Sequence, residues 1–354
     1  MILNEEVLKH ALIGGTILGG GGGGSREEGI LLGREALKYG SPELMPIEVL
    51  KDEDIVVTVS AVGAPAAKDK YITGDDYVRT IELLKKISGK DIAGIITNEN
   101  GGIATINGWL QSAKLGIPLI DAPCNGRAHP TGVMGSIGLH SLENYVTYQA
   151  AAGGNKENGM YTEIMTKGSI DNTAKLVRQA AIAAGGLVAV ARNPVSVKYL
   201  KKNAAIGGIH HAIELGKAFY EGLEESGEKA VKNVAEVLNG IILTEGTIRR
   251  FNLNTSGGFD VGSLWVNEYE LTFWNEYMTA EADGKRIATF PDLIMTFDKN
   301  TGFPVTSAEI KNGQEIIIIK ADKSNLKLGS GMKDKKLFED VEKILDKEII
   351  KYVF

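Results

Sequence analysis

The sequence of 354 residues holds one cysteine, nine prolines and few aromatic side chains, 6% in all. A lone Cys124 excludes a disulfide framework and an all-cysteine zinc site within one chain. Scarce proline, with no three-residue glycine period, excludes collagen-like and proline-glycine low-complexity chains. A basic excess is lacking too. Against 39 Lys and Arg stand 45 Asp and Glu, a net charge of −6, which gives no long-range attraction for nucleic acid or an anionic membrane. The longest nearly uninterrupted small and apolar run, Ala180 to Ala191, is too short for a bilayer span. Met1 to His10 carries Glu5 and Glu6 where a secretory signal would be basic. A cytoplasmic protein is expected, with neither nucleic acid nor membrane as partner.

Glycine, by contrast, is abundant: 44 residues, about 12% against an average near 7%. Its surplus falls in the first half, where strand-like and helix-like segments alternate at short spacing. Asn4 can cap a first helix, and Gly19 to Gly24 leads into Ser25-Arg26-Glu27-Glu28, a capping box opening a helix to about Tyr39. Strands are predicted at Ile55–Ser60, Ile92–Thr97 and Ile117–Ala122, with helices from about Asp75 to Ile87 and up to Leu115. This alternation marks βαβ units and a largely parallel sheet. The loops after Ser60, Thr97 and Ala122 should then emerge along one edge, where open α/β sheets bind ligands.

The α/β pattern continues from Tyr161 to Ala191, and helices are predicted around 205–222 and 228–238. From Ile241 to Lys320 strand-like runs alternate with turns at Ser256-Gly257-Gly258, Asp283-Gly284, Asn300-Thr301-Gly302 and Asn312-Gly313, which predicts hairpins or a barrel-like sheet. A charged helix from about Lys333 to Glu348 should close the chain. The expected fold class is α/β in two domains, since a single core stops growing at around 250 to 300 residues. Residues 1–165 form the N-terminal α/β domain, and 166–354 a C-terminal α+β domain with the β-rich segment 241–320.

Gly19 to Gly24 satisfies G-x-G-x-x-G only because every position is glycine. No good strand precedes it and no Lys-Ser/Thr pair follows, so no nucleotide is expected. Its physical content is bare backbone: Gly20, Gly21, Gly22 and Gly23 can bring N–H groups close to a ligand, or can make a close-packing turn. Asn98-Glu99-Asn100-Gly101-Gly102 places a carboxylate and two amides at a strand end. Glu99 reads as a general base or metal ligand, or as a cap. The densest chemistry lies from Asp121 to His129. Asp121, Cys124 and His129 could hold one divalent ion. Alternatively Cys124 could be a nucleophile beside Arg127 and His129, or an Asp121–Arg127 ion pair could simply hold the loop. His210-His211, pointing about 100° apart on a helix, reads as structural. Asn275-Glu276 could extend toward a domain cleft but reads first as a strand-end or ladder feature, and Asp69, Asp75 and Asp76 read as caps.

Together Leu18–Ser25 (LGGGGGGS), Val62–Pro65 (VGAP), Glu99-Asn100-Gly101-Gly102 and Gly116–Pro130 (GIPLIDAPCNGRAHP) resemble the successive motifs of the S-methyl thiohydantoin desulfurase family, formerly domain of unknown function family 917. Its members often accompany hydantoinase and oxoprolinase proteins. Phe273–Glu276 (FWNE), Pro291–Ile294 and Thr301–Val305 resemble its C-terminal domain. The third loop differs from the common family form at Pro123 and Cys124, and carries His129 where an apolar residue is common. The resemblance implies a hydrolase of hydantoin or S-methyl thiohydantoin rings. On this reading Glu99, or one divalent metal (zinc or manganese) on Asp121, Cys124 and His129, activates water for attack at ring C2. Backbone N–H groups of the Gly19–Gly24 run and of Gly101-Gly102 steady the anion, Asn98 and Asn100 contact the small-molecule substrate, and Arg127 binds its carboxylate. The competing reading is a non-catalytic binding subunit that partners a hydantoinase or oxoprolinase. A homo-oligomer is expected.

Overall fold

The computed structural model describes residues 1–63, 67–256 and 259–354. Ala64-Pro65 of the VGAP motif and Gly257-Gly258 of one expected turn lie outside the described residues. The chain opens with α1 (Glu5–Gly19) and α2 (Arg26–Tyr39). Asn4 accepts the Val7 N–H and Ser25 accepts the Glu28 N–H, so both helices start at the caps read from sequence.

Next come β1 (Leu44–Met45), β2 (Ile55–Gly63), α3 (Gly74–Ser88), β3 (Gly94–Thr97), α4 (Trp109–Leu115) and β4 (Leu119–Ile120). After them lie β5 (Thr147–Gly153), β6 (Thr162–Gly168), α5 (Ile170–Ala183) and β7 (Leu187–Ser196). These seven strands form one sheet in the order β1-β4-β3-β2-β7-β5-β6. The β1, β4, β3 and β2 side is parallel, as expected, and its Val57, Val59 and Ile95 are buried as parallel strands require. The other side is antiparallel, because β5 and β6 make a hairpin and α5 carries the chain across to β7 on the far flank of β5. The first sheet therefore runs on to Ser196, past residue 165.

Three helices, α6 (Val197–Asn203), α7 (Gly208–Leu223) and α8 (Gly227–Val237), lead into the second sheet. Its strands are β8 (Ile241–Ser256), β9 (Phe259–Val266), β10 (Tyr269–Trp274), β11 (Glu276–Ala282), β12 (Lys285–Thr289), β13 (Leu293–Asp298), β14 (Pro304–Val305) and β15 (Glu315–Ala321). The order is β12-β11-β10-β9-β8-β15-β13-β14, antiparallel throughout. The sheet curls so that β11 lies against β13 around a core of Ile248, Leu264, Phe273, Ile294 and Ile316. The single charged helix expected at the end is instead broken. Asp334 is extended and caps the Lys336 N–H, and Asp346 is left-handed (φ 52°) between α9 (Glu339–Leu345) and α10 (Ile350–Val353).

Helix α1 joins the two sheets. Its Leu8, Ala11 and Leu12 pack in the first core, and Ile13, Ile17 and Leu18 pack with Phe219, Leu293 and Phe297 in the second. It crosses α7 backbone to backbone: a Cβ at Gly14 would overlap the Ala212 carbonyl, and one at Gly216 the His10 carbonyl. Gly14→Ala should therefore lower stability by about 1–3 kcal/mol, read as a lower urea midpoint at unchanged slope.

Candidate active site

The loops after β2, β3 and β4 do emerge on one edge, where a cleft of about 470 Å³ opens between the two sheets. The first sheet's side supplies Ser60, Asn98, Glu99, His129, Arg178 and Arg192. The second supplies Asp260, Asn275, Glu276 and Thr306–Glu309, and Gly21–Ser25 runs between them.

At the floor, Glu99 Oε2 lies 3.1 Å from His129 Nε2 and accepts the His129 amide at 3.2 Å and Asn98 Nδ2 at 3.3 Å. Arg192 Nη2 donates to Asn98 Oδ1 (2.9 Å), which turns the Asn98 amino group toward Glu99 and toward His129 Nε2, 3.2 Å away. That orientation favours His129 Nε2 as an acceptor, with the ring proton on Nδ1, which is buried without a partner among the described residues. Burial drives the pKa values the same way. It pushes Glu99 up to about 7, against the pull of the His129 amide and Arg192. Burial and then the Arg192 guanidinium push His129 down to about 3, so the imidazole stays neutral. The pair thus exchanges one proton near neutrality, with Glu99 as its carrier.

The glycine run brings bare backbone against protein on several sides. A side chain at Gly22 would overlap Glu276 Oε1, one at Gly23 would overlap Gly101, and Tyr277 N–H donates to the Gly20 carbonyl at 2.7 Å. Gly21, Gly22 and Gly23 also line the cleft, whereas Gly20 does not. Gly101 and Gly102 are corrected to a packing role: they press on Gly23 and Gly24 and do not reach the cleft. Asn100 is corrected likewise. It is fully buried, donating to the Gly126 and Gly208 carbonyls and accepting from Thr105.

The loop from Asp121 to His129 splits in space. Asp121 accepts the Ile209 and His210 amides (2.7 and 3.2 Å), capping α7. Cys124 packs in the core with Sγ 3.2 Å from the Thr58 hydroxyl, and burial raises its thiol to about 11, so it is neither thiolate nor cleft-lining. Arg127 is buried beneath the cleft, donating to the Ala128, Pro291 and Asp292 carbonyls and lying 4.6 Å from the Phe290 ring. The expected Asp121–Cys124–His129 metal set therefore does not converge, Cys124 is not placed as a nucleophile, and Arg127 is not placed to meet a substrate carboxylate. Among the described residues no three His, Cys, Asp or Glu side chains gather as a metal site.

Two cleft residues, Arg192 and Arg178, escaped the sequence reading, and for a third, Glu276, the structure favours the second alternative. Glu276 opens β11 at a strand end and also lines the cleft, 2% exposed. Arg192 stood out only as a charge inside the apolar β7 run, and Arg178 lies over the Phe259 ring at 4.7 Å.

Sequence models of the S-Me-THD-like N-terminal and C-terminal domains match residues 6–163 and 169–327. The chain belongs to the S-Me-THD-like family. A crystal structure of a protein from Chromobacterium violaceum superposes on this S-Me-THD-like chain with a TM-score of 0.74, covering 98% of it and 96% of the other, at 20% identity; the two share a fold. No protein of curated function matches the chain. Among the described residues, no helix of this S-Me-THD-like protein is long and apolar enough to cross a membrane.

Proposed function

We propose that this S-Me-THD-like protein hydrolyses a hydantoin or S-methyl thiohydantoin ring. The carrying observation is the Glu99–His129 pair: a carboxyl poised near neutrality against an imidazole held neutral, facing a cleft of about 470 Å³ that has room for a substituted ring. In its carboxylate form Glu99 takes a proton from water as the oxygen attacks ring C2. The amides of Gly23 and Gly24, which donate to no acceptor among the described residues, and the start of α2 face the charge that builds on the ring. The donor geometry supports acid–base chemistry by these side chains, and no step here runs through a metal.

The test is a panel of hydantoins, thiohydantoins and S-methyl thiohydantoins, followed for released thiol and for ring opening. Turnover of at least one is expected. Ligand-induced rises in melting temperature without turnover would instead favour a binding subunit that partners a hydantoinase or oxoprolinase. Cys124→Ala should keep turnover within about threefold, because the thiol faces Thr58 rather than the cleft. A tenfold loss with folding intact would restore the nucleophile reading.

A further inference from the structure

A second carboxyl in the cleft is left unused by the scheme above. Glu276 opens β11 directly after the left-handed Asn275 (φ 56°), and this reversal sets its side chain against the glycine run. Oε1 rests on Gly22, in the space that a Cβ there would take, and Oε2 is buried without a hydrogen-bond partner among the described residues. A buried carboxylate oxygen left without a partner is costly; a protonated carboxyl waiting for an acceptor is far less so. Arg127 does not relieve it by direct pairing, since its bonded donors go to backbone carbonyls.

We infer that Glu276 is the acid partner of Glu99, protonating the ring nitrogen that receives the electron pair when water adds to C2. This rests on the hydrolase reading. For an S-methyl thiohydantoin, Glu99 carboxylate takes one water proton, the C2–O bond forms, the C2=N pair moves to nitrogen, and Glu276 supplies the proton there. In the collapse the C2 hydroxyl returns a proton to Glu276 as C2=O forms. The C2–S bond breaks, and protonated Glu99 delivers its proton to sulfur, releasing methanethiol. Both carboxyls end as they began. Arg127 and Glu99 lie around Glu276, with Asp292 beyond Arg127; His129, Arg192 and Arg127 act on Glu99; and Glu28, Lys70, Arg178, Asp260 and Glu309 line the same cleft. Burial first, and then the Glu99 charge, hold Glu276 well above the usual carboxylate range, so ionisation of Glu99 tightens the proton on Glu276.

Measured by methanethiol release, the wild-type kcat should rise as Glu99 ionises and fall again in alkali as Glu276 loses its proton. Glu276→Gln should lower kcat by about 10²–10⁴-fold, with KM changed only a few-fold, and should erase the alkaline fall. Turnover in Glu276→Gln within about threefold of wild type, or a wild-type profile with no alkaline fall, overturns the inference and leaves the hydrolase reading standing. The wild-type profile needs no variant, so misfolding of Glu276→Gln does not shield the inference. No turnover of any ring by the wild-type protein overturns both.

Discussion

Glu99→Gln is expected to remove turnover and to stabilise the fold in the same protein. The first effect follows from losing the only proton carrier in the pair with His129, a fall of about 10²–10⁴ in kcat. The second follows from linkage. Glu99 has a folded pKa of about 7 against an ordinary 4.5, so between these values the folded chain holds a proton that the unfolded chain has released. Stability therefore falls as pH rises through that window, and above it the loss amounts to about 3 kcal/mol at 1.36 kcal/mol per unit. Gln has no such ionisation, and its Oε1 can still accept the Asn98 amino group and the His129 amide. The variant should melt close to wild type at pH 4.5 and several degrees above it at pH 8. A variant less stable than wild type at pH 8 would mark Glu99 as a structural cap, not a strained functional carboxyl.

Where the sequence was legible, local physics decided the outcome. Asn4 and Ser25 cap their helices because each precedes a helical segment with a free amide in reach. The apolar runs of β2, β3 and β4, alternating with helices, marked buried strands parallel to one another, and such strands put their following loops on one edge. Asp121, Cys124, Arg127 and His129 were misjudged as one cluster because nearness along an extended loop is not nearness in space: successive side chains face different ways. Asp121 turns to α7, Cys124 to the core under β2, Arg127 to the second sheet, and only His129 to the cleft. Glu276 was offered to a domain cleft only as the second reading, for the opposite reason. Its place opposite Glu99 depends on the curl of the second sheet and on Asn275, and no local pattern encodes either.

Arg127→Met should destabilise the protein by several kcal/mol, at about 1–3 kcal/mol for each buried carbonyl left without its donor. Arg127 pins the loop after β4 to the second sheet: Nη1 donates to the Pro291 carbonyl at 3.1 Å and also to that of Asp292, while Nε reaches Ala128. Methionine fills much of the volume and preserves the contact with Phe290, so the loss isolates the donors, whose carbonyl partners would stay buried and unpaired. Burial lowers the guanidinium to about 10, while Glu276, Asp292 and Glu99 act in the opposite direction. Without the cation, Glu276 should hold its proton to still higher pH, and residual turnover should show its alkaline fall displaced upward. Arg127→Lys should rescue little, since an ammonium cannot present the planar fork that spans two carbonyls. Denaturant midpoints of the three proteins decide the matter. A loss below about 1 kcal/mol for Arg127→Met, with KM raised only for carboxylate-bearing rings, would return Arg127 to the substrate-binding role first read from its loop.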